Sequence, residues 1–219
     1  MPDITLAGAR RDVSRFGPSN VLTFMDRDLE LQLVSRLRTR DDEAFEAVHE
    51  AFNARLYNFL ARLANSRDVA EDLLEETWLR LVSHAPRLRP DTRLGPWLFT
   101  VARNLYLSYR RSRLIEDAGS VEAAGLWSIA SHPPSPLDMA EASEAERRVG
   151  AALASLPAIY REALLLVAFE GLRPSEAAAI CGVTPEAMRQ RLSRARNLID
   201  SRLTVDRPPI LQSLKEVIT

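Results

Sequence analysis

Apolar residues recur every three or four positions along most of this chain. No stretch alternates strictly between apolar and polar, so the pattern predicts helices and no sheet. Leu29, Leu33 and Leu37 stand four apart and predict a first helix from Met25 onward. Residues 44–64 predict a second, with Phe45, Val48, Phe52, Leu56, Phe59, Leu60 and Leu63 as core. Residues 68–83 predict a third, with Ala70, Leu73, Leu74, Thr77 and Leu81 turned inward. A proline-punctuated loop over 86–96 leads to a fourth helix at 97–113, whose inner stripe is Leu98, Val101, Ala102, Leu105 and Tyr109. The pattern then breaks. Gly119, Gly125 and the run His132-Pro133-Pro134-Ser135-Pro136 mark a linker. Helical spacing resumes over 141–155 and 158–169 and continues in two further short segments.

The expected fold class is therefore all-α. Two small helical domains, 25–113 and 141–204, are joined by an irregular acidic linker at 114–140, and the second ends in a helix-turn-helix. Residues 1–24 mix glycine, proline, serine and charge and are expected to be a flexible tail. Residues 205–219 form a second tail with Pro208-Pro209 and an apolar set that packs on its own domain by default.

Composition narrows the function classes. Net charge is −1 and by itself says nothing about nucleic acid, but its distribution does. Residues 87–113 hold seven arginines against Asp91 alone. Residues 41–76 hold ten acids against Arg55, Arg62 and Arg67, and 116–146 hold seven acids with no lysine or arginine. Different surfaces thus suit different partners. Cys181 is the only cysteine, which excludes an intramolecular disulfide and fits a cytoplasmic protein. On the apolar side of a predicted helix, it is expected to pack in the core. No apolar run is long enough to span a bilayer, so no membrane role is expected. His49, His84 and His132 lack ligand spacing, and there is no phosphate loop or nucleophile elbow. The expectation is no enzyme, no metal and no cofactor.

The segment GLRPSEAAAICGVTPEAMRQRLSRARNL, starting at Gly171, carries the most information. Small residues Ala177 and Ala178 let two helices approach closely, and Gly182 frees the backbone of the turn. Thr184 can cap the second helix, with Pro185 in its first turn. Met188, Leu192, Ala195 and Ile199 make an inner face, which turns Glu186, Gln190, Ser193, Arg194 and Asn197 outward. Arg189 and Arg196 flank one edge and Arg191 the other. Such a helix fits the DNA major groove, where arginine reads guanine and glutamine reads adenine. The second cationic surface combines the loop residues Leu88, Arg89, Asp91, Thr92 and Arg93 with Arg103, Asn104, Arg110 and Arg111 on the fourth helix. Arginines there can hold phosphates while the loop cradles an unstacked base. Trp97 can stack on a base or anchor the loop. On the third helix, Asp72, Glu75, Glu76 and Leu79 share an outer face that would repel DNA. An apolar Leu79 among acids points to a basic protein partner.

The whole arrangement resembles a bacterial RNA polymerase sigma factor of the extracytoplasmic-function type, over residues 26–113 and 141–203. AEDLLEETWLRL resembles the family's polymerase-docking segment, LGPWLFTVARNLYLSYRRSR its −10 reader, and LPAIYREALLLVAFEGL with the helix-turn-helix its −35 reader. The resemblance implies that Asp72, Glu75, Glu76 and Leu79 hold polymerase through its β′ clamp helices, with the β flap as a second contact. It implies that residues 88–94 capture a flipped −10 base, with Trp97 in support and Asn104 on the displaced strand. Arg189, Gln190, Arg191, Ser193, Arg194 and Asn197 would meet −35 DNA. Promoter DNA and an anti-sigma factor are the further implied partners. Two departures from the family pattern stand out. Arg173-Pro174 replaces the usual Ser or Thr cap of the first helix of the pair, with Ser175 as a substitute, and Pro185-Glu186-Ala187 opens the second. The alternatives are a stand-alone helix-turn-helix regulator, which needs no polymerase, and a helical adaptor whose arginines are merely solvated.

Overall fold

The computed structural model describes residues 26–118 and 144–203. Both expected tails and most of the expected linker lie outside the described residues. Among those described, the chain forms helices and no strand. In chain order they are α1 (Arg27–Arg38), α2 (Asp42–Ala64), α3 (Arg67–His84), α4 (Leu94–Ala118), α5 (Glu144–Ala154), α6 (Ala158–Leu164), α7 (Pro174–Cys181) and α8 (Pro185–Leu203). A short 3-10 turn, Ala85–Arg87, follows α3, and α6 runs into a wide π-type turn, Leu165–Phe169. α4 continues to Ala118, past the domain end expected at 113.

The amino-terminal unit is α1 to α4, with α2 and α3 packed along each other. Local chemistry sets its joints. Asp41 caps α2 by accepting from the Ala44 N–H at 3.0 Å, and Arg36 holds that carboxylate at 2.9 Å. The Arg36 guanidinium keeps the Asp41 carboxyl below its ordinary range. Asn65 ends α2 in the left-handed conformation, φ 57, which asparagine tolerates, and Ser66 then caps α3. Phe59 and Phe99 meet edge to face at 5.3 Å in the core. Each fully buried aromatic or aliphatic side chain here contributes about 1.5–3 kcal/mol relative to exposure.

Three expectations need correction. Leu29 is 47% exposed, and Glu30 and Val34 take the inward positions of α1 beside Leu33 and Leu37. The buried stripe of α4 is Leu94, Leu98, Phe99, Ala102, Arg103 and Tyr106, while Val101, Leu105 and Tyr109 are only half-buried. The stripe is rotated because the carboxy-terminal unit covers a second flank of α4. The helix expected over 158–169 changes its winding at Leu165, and Leu165, Leu166 and Val167 are all buried. That turn is covered by α7 of its own unit and by α2 of the other.

The carboxy-terminal unit is α5 to α8. Arg161 is buried and donates to the Leu153, Ala154 and Leu156 carbonyls at 2.9–3.0 Å. It thereby closes the end of α5 and the bend into α6. α7 lies against α4, and the wide turn lies against α2. The two units are in direct contact.

Candidate nucleic-acid interface

The helix-turn-helix is built much as its residues predict. Gly182 has φ 65, the left-handed region. Thr184 accepts from the Ala187 N–H at 3.1 Å and caps α8. Met188, Leu192, Ala195 and Ile199 are buried. Glu186, Arg189, Gln190, Ser193, Arg194 and Asn197 are exposed along the opposite face. The cap of α7 differs from expectation: Ser175 takes no part, and the Glu176 carboxylate accepts from the Arg173 N–H at 3.0 Å and from its guanidinium at 2.9 Å. Burial pushes the Glu176 carboxyl up, but the Arg173 hydrogen bonds and the charges of Arg173 and Arg93 outweigh it and hold it below the usual range.

Not every arginine of α8 is equally free. Glu186 ion-pairs with Arg189. Arg194 approaches the Tyr160 hydroxyl at 3.4 Å from an otherwise open position. Arg191 is half-buried, with Glu162 near enough to feel its charge. An acidic groove partner, such as DNA phosphate, would compete directly with Glu186 for Arg189.

The second cationic surface starts from a structured loop. The Thr92 N–H donates to the Arg89 carbonyl at 3.0 Å, and Arg89 pairs with Asp91 at 3.1 Å. Arg27 of α1 donates to the Asp91 carbonyl at 2.9 Å. Leu88 is in the core, so it anchors the loop and offers no face to a base. Glu30, which the sequence reading missed, ties the loop down. One of its oxygens accepts from the Leu94 N–H at 2.7 Å, capping α4, and the other meets Arg93 at 3.0 Å and Arg27. The signal was present: Glu30 shares the helical stripe of Leu33, Val34 and Leu37.

Trp97 is half-buried with its ring 6.0 Å from that of His84. Thr100 donates to the Pro96 carbonyl at 2.7 Å. Asn104 and Arg111 are exposed, and Arg110 lies over the Tyr106 ring and donates to its hydroxyl at 3.0 Å. Arg103 is the exception. It is 8% exposed and ion-paired with Glu162 of α6, so the free chain does not present it to solvent. Burial pushes the Glu162 carboxyl up while the Arg103 charge opposes that shift. The Cys181 thiol lies in the same buried cluster and is itself pushed up by burial and the Glu162 charge, as suits a packing cysteine.

On α3, Asp72, Glu75 and Leu79 are exposed and Glu76 is half-exposed, paired with Arg80 at 2.7 Å. Leu79 is 57% and Val82 54% exposed. They border an apolar groove of about 390 Å³, floored by Phe45, His49, Leu74 and Trp78 and rimmed by Glu71 and Glu75. Trp78, also missed in the sequence, is buried with its indole N–H on Asn53 at 3.0 Å. The arrangement combines an apolar anchor with a carboxylate rim, which fits a basic amphipathic partner.

Comparisons with known proteins agree on one family. Residues 48–114 match the sigma-70 region 2 model and residues 146–199 the sigma-70 region 4 model. The chain is similar to the ECF RNA polymerase sigma factor EcfG of Rhodopseudomonas palustris, 39% identical over 150 residues, covering 68% of this chain and 78% of that protein. It is similar to the RNA polymerase sigma factor CarQ of Myxococcus xanthus, at 33% identity over 74% of this chain and 90% of CarQ. Among solved structures, the sigma factor RpoE in complex with the anti-sigma factor NepR from Bartonella quintana superposes with a TM-score of 0.53 at 28% identity. That match covers 81% of this chain and 95% of RpoE. CnrH, solved in complex with the cytosolic domain of CnrY, shares the fold with a TM-score of 0.59 at 21% identity, over 81% of this chain and 99% of CnrH.

Proposed function

The chain belongs to the ECF RNA polymerase sigma factors, and on that premise we propose how its residues divide the work. As a sigma factor it binds core RNA polymerase, recognises promoter DNA and directs transcription initiation. The observation that carries the division of labour is the separation of three surfaces. Arginines line the outer face of α8, a second arginine set surrounds the 88–94 loop and α4, and acids with Leu79 cover α3. Arg189, Gln190, Arg191, Ser193, Arg194 and Asn197 read the −35 element in the major groove. The loop from Arg89 to Arg93, with Trp97, Asn104, Arg110 and Arg111, holds the melted −10 element, and Arg103 joins them once released from Glu162. Leu88 acts only by fixing the loop.

This activity involves no covalent step by the chain. Contacts to unstacked bases offset the cost of opening the duplex, and polymerase performs catalysis. Asp72, Glu75 and Glu76 attract the basic clamp helices of polymerase, and Leu79 and Val82 seat an apolar side chain beside them. An anti-sigma factor is a second partner, as NepR is for RpoE. No helix among the described residues is long and apolar enough to cross a membrane, and the site of action is the cytoplasm, where polymerase works. The match of residues 48–114 to sigma region 2 disfavours a stand-alone regulator, which has no use for that unit.

The docking assignment is tested by reversing Asp72 and Glu75 to Lys. Both are exposed, so helicity is expected to stay at the wild-type level while binding to core polymerase weakens by at least tenfold, about 1.4 kcal/mol. Wild-type polymerase affinity in the reversed variant would remove α3 from the interface.

A further inference from the structure

The face of α8 that points away from its core opens with an acid. Glu186, Gln190, Ser193 and Asn197 are all exposed, and their spacing of four, three and four residues places them on one stripe of the helix. Glu186 is the second residue of α8, after Pro185, in the turn that Thr184 caps through the Ala187 N–H. It is ion-paired with Arg189, and the two side chains are 68% and 61% exposed. Neither is held by the core. In a helix-turn-helix the first residues of the second helix meet base edges. A carboxylate there faces the phosphates, about one negative charge for every 1.7 Å of duplex. Unless the DNA offers it a donor, it weakens binding. Glu186 also stands in Pro185-Glu186-Ala187, where this chain departs from the pattern of its family.

We propose that Glu186 is a specificity-determining residue: its carboxylate selects cytosine at one position of the −35 element and directs Arg189 to a guanine beside it. The inference rests on the −35 reading of α8 and adds a residue to it. Hydrogen-bond chemistry decides the base. An ionised carboxylate only accepts. In the major groove only cytosine N4 and adenine N6 donate, whereas guanine presents two acceptors and thymine an acceptor and a methyl group. Adenine N6 lies beside the N7 acceptor, which repels the second carboxylate oxygen. Cytosine has no acceptor in the groove, so it is the better partner. Arg189 supplies the complement. Its guanidinium is a fork of N–H donors, one side engaged with Glu186, and guanine O6 and N7 accept from such a fork. Away from a matching site, Glu186 keeps Arg189 occupied and repels the backbone. It therefore acts against wrong sequences as well as for the right one. An acid in the first turn also favours the helix dipole, but that role is indifferent to base sequence.

The test uses the full chain assembled with core RNA polymerase and duplex DNA randomised over the upstream element. Bound sequences are selected and counted for wild type, Glu186→Ala and Glu186→Gln. Wild type is expected to favour cytosine next to guanine. Glu186→Ala is expected to lose the cytosine preference at that one position, by about tenfold. It is also expected to bind random duplex more tightly, with a salt dependence steeper by about one phosphate contact. Glu186→Gln is expected to exchange cytosine for adenine there, since glutamine accepts from N6 and donates to N7. Unchanged preference at every position in both variants, or an equal change at all positions, would overturn the proposal. Should Glu186→Ala lose helix content, Glu186→Gln alone decides, because it keeps the shape of the side chain. Gln190→Ala and Arg194→Ala check the underlying reading. Altered preference in those two but not in the Glu186 variants sinks only the role of Glu186. No altered position in any of the four sinks the −35 reading of α8 itself.

Discussion

Glu30 connects three parts of the chain that are distant in sequence. It is buried on α1, caps α4 through the Leu94 N–H, and holds Arg93 and Arg27 at the base of the −10 loop. Removing a buried carboxylate strands both a backbone donor and two guanidiniums. Arg27 and Arg93 stay about 40% exposed to water, so Glu30→Ala is expected to cost about 1–3 kcal/mol in urea unfolding, chiefly through the Leu94 N–H. A loss within the range of surface substitutions, about 0.5 kcal/mol, would show that water replaces it without penalty. Glu30 is hard to single out in the sequence because helical periodicity is carried by apolar residues, and an acid on the apolar stripe counts as noise. Arg103 illustrates the same limit from the other side. A helical wheel of α4 alone turns it outward, whereas Glu162 of α6 draws it into a buried pair.

The elements themselves were largely legible. Each of α1 to α4 follows an apolar stripe, α1 to α3 end at a polar or proline-bearing break, and all four outward residues assigned on α3 are at least half-exposed. α8 was read correctly on both faces, because its core partners lie within its own unit. Two of the three errors fall where the other unit intrudes, the rotated stripe of α4 and the rewound end of α6, and the third is the inward face of α1. The turn between α7 and α8 gives a direct check on local coding. A Cβ at Gly182 would meet no atom within 4 Å, so Gly182→Ala suffers only from its φ of +65. The expected loss is about 1–2 kcal/mol of stability in the carboxy-terminal unit, read by thermal or urea melting. No loss would mean that the turn readily adopts another conformation.

At the scale of the whole molecule, the contact between the two units is coupled to protons through Glu170, which Arg55 of the other unit meets at 3.1 Å. Burial raises its carboxyl from 4.5 to about 7, against the opposing charges of Arg55 and Arg62, the groups that face it from α2. In an open chain it returns toward its ordinary value. Between about pH 4.5 and 7 the closed form thus binds more protons than the open form. The free energy of opening then falls as pH rises through that window. The radius of gyration is expected to be larger at pH 8 than at pH 6, and Glu170→Gln is expected to abolish the difference while remaining closed. An equal pH response in Glu170→Gln would assign the effect to other groups. The measurement that bears most directly on this account is transcription by core RNA polymerase, with and without the chain, from a library of randomised upstream sequence. Discrete start sites that depend on the chain and share two sequence elements at a fixed spacing are the predicted result. Duplex binding by the free chain without any chain-dependent start site would contradict it.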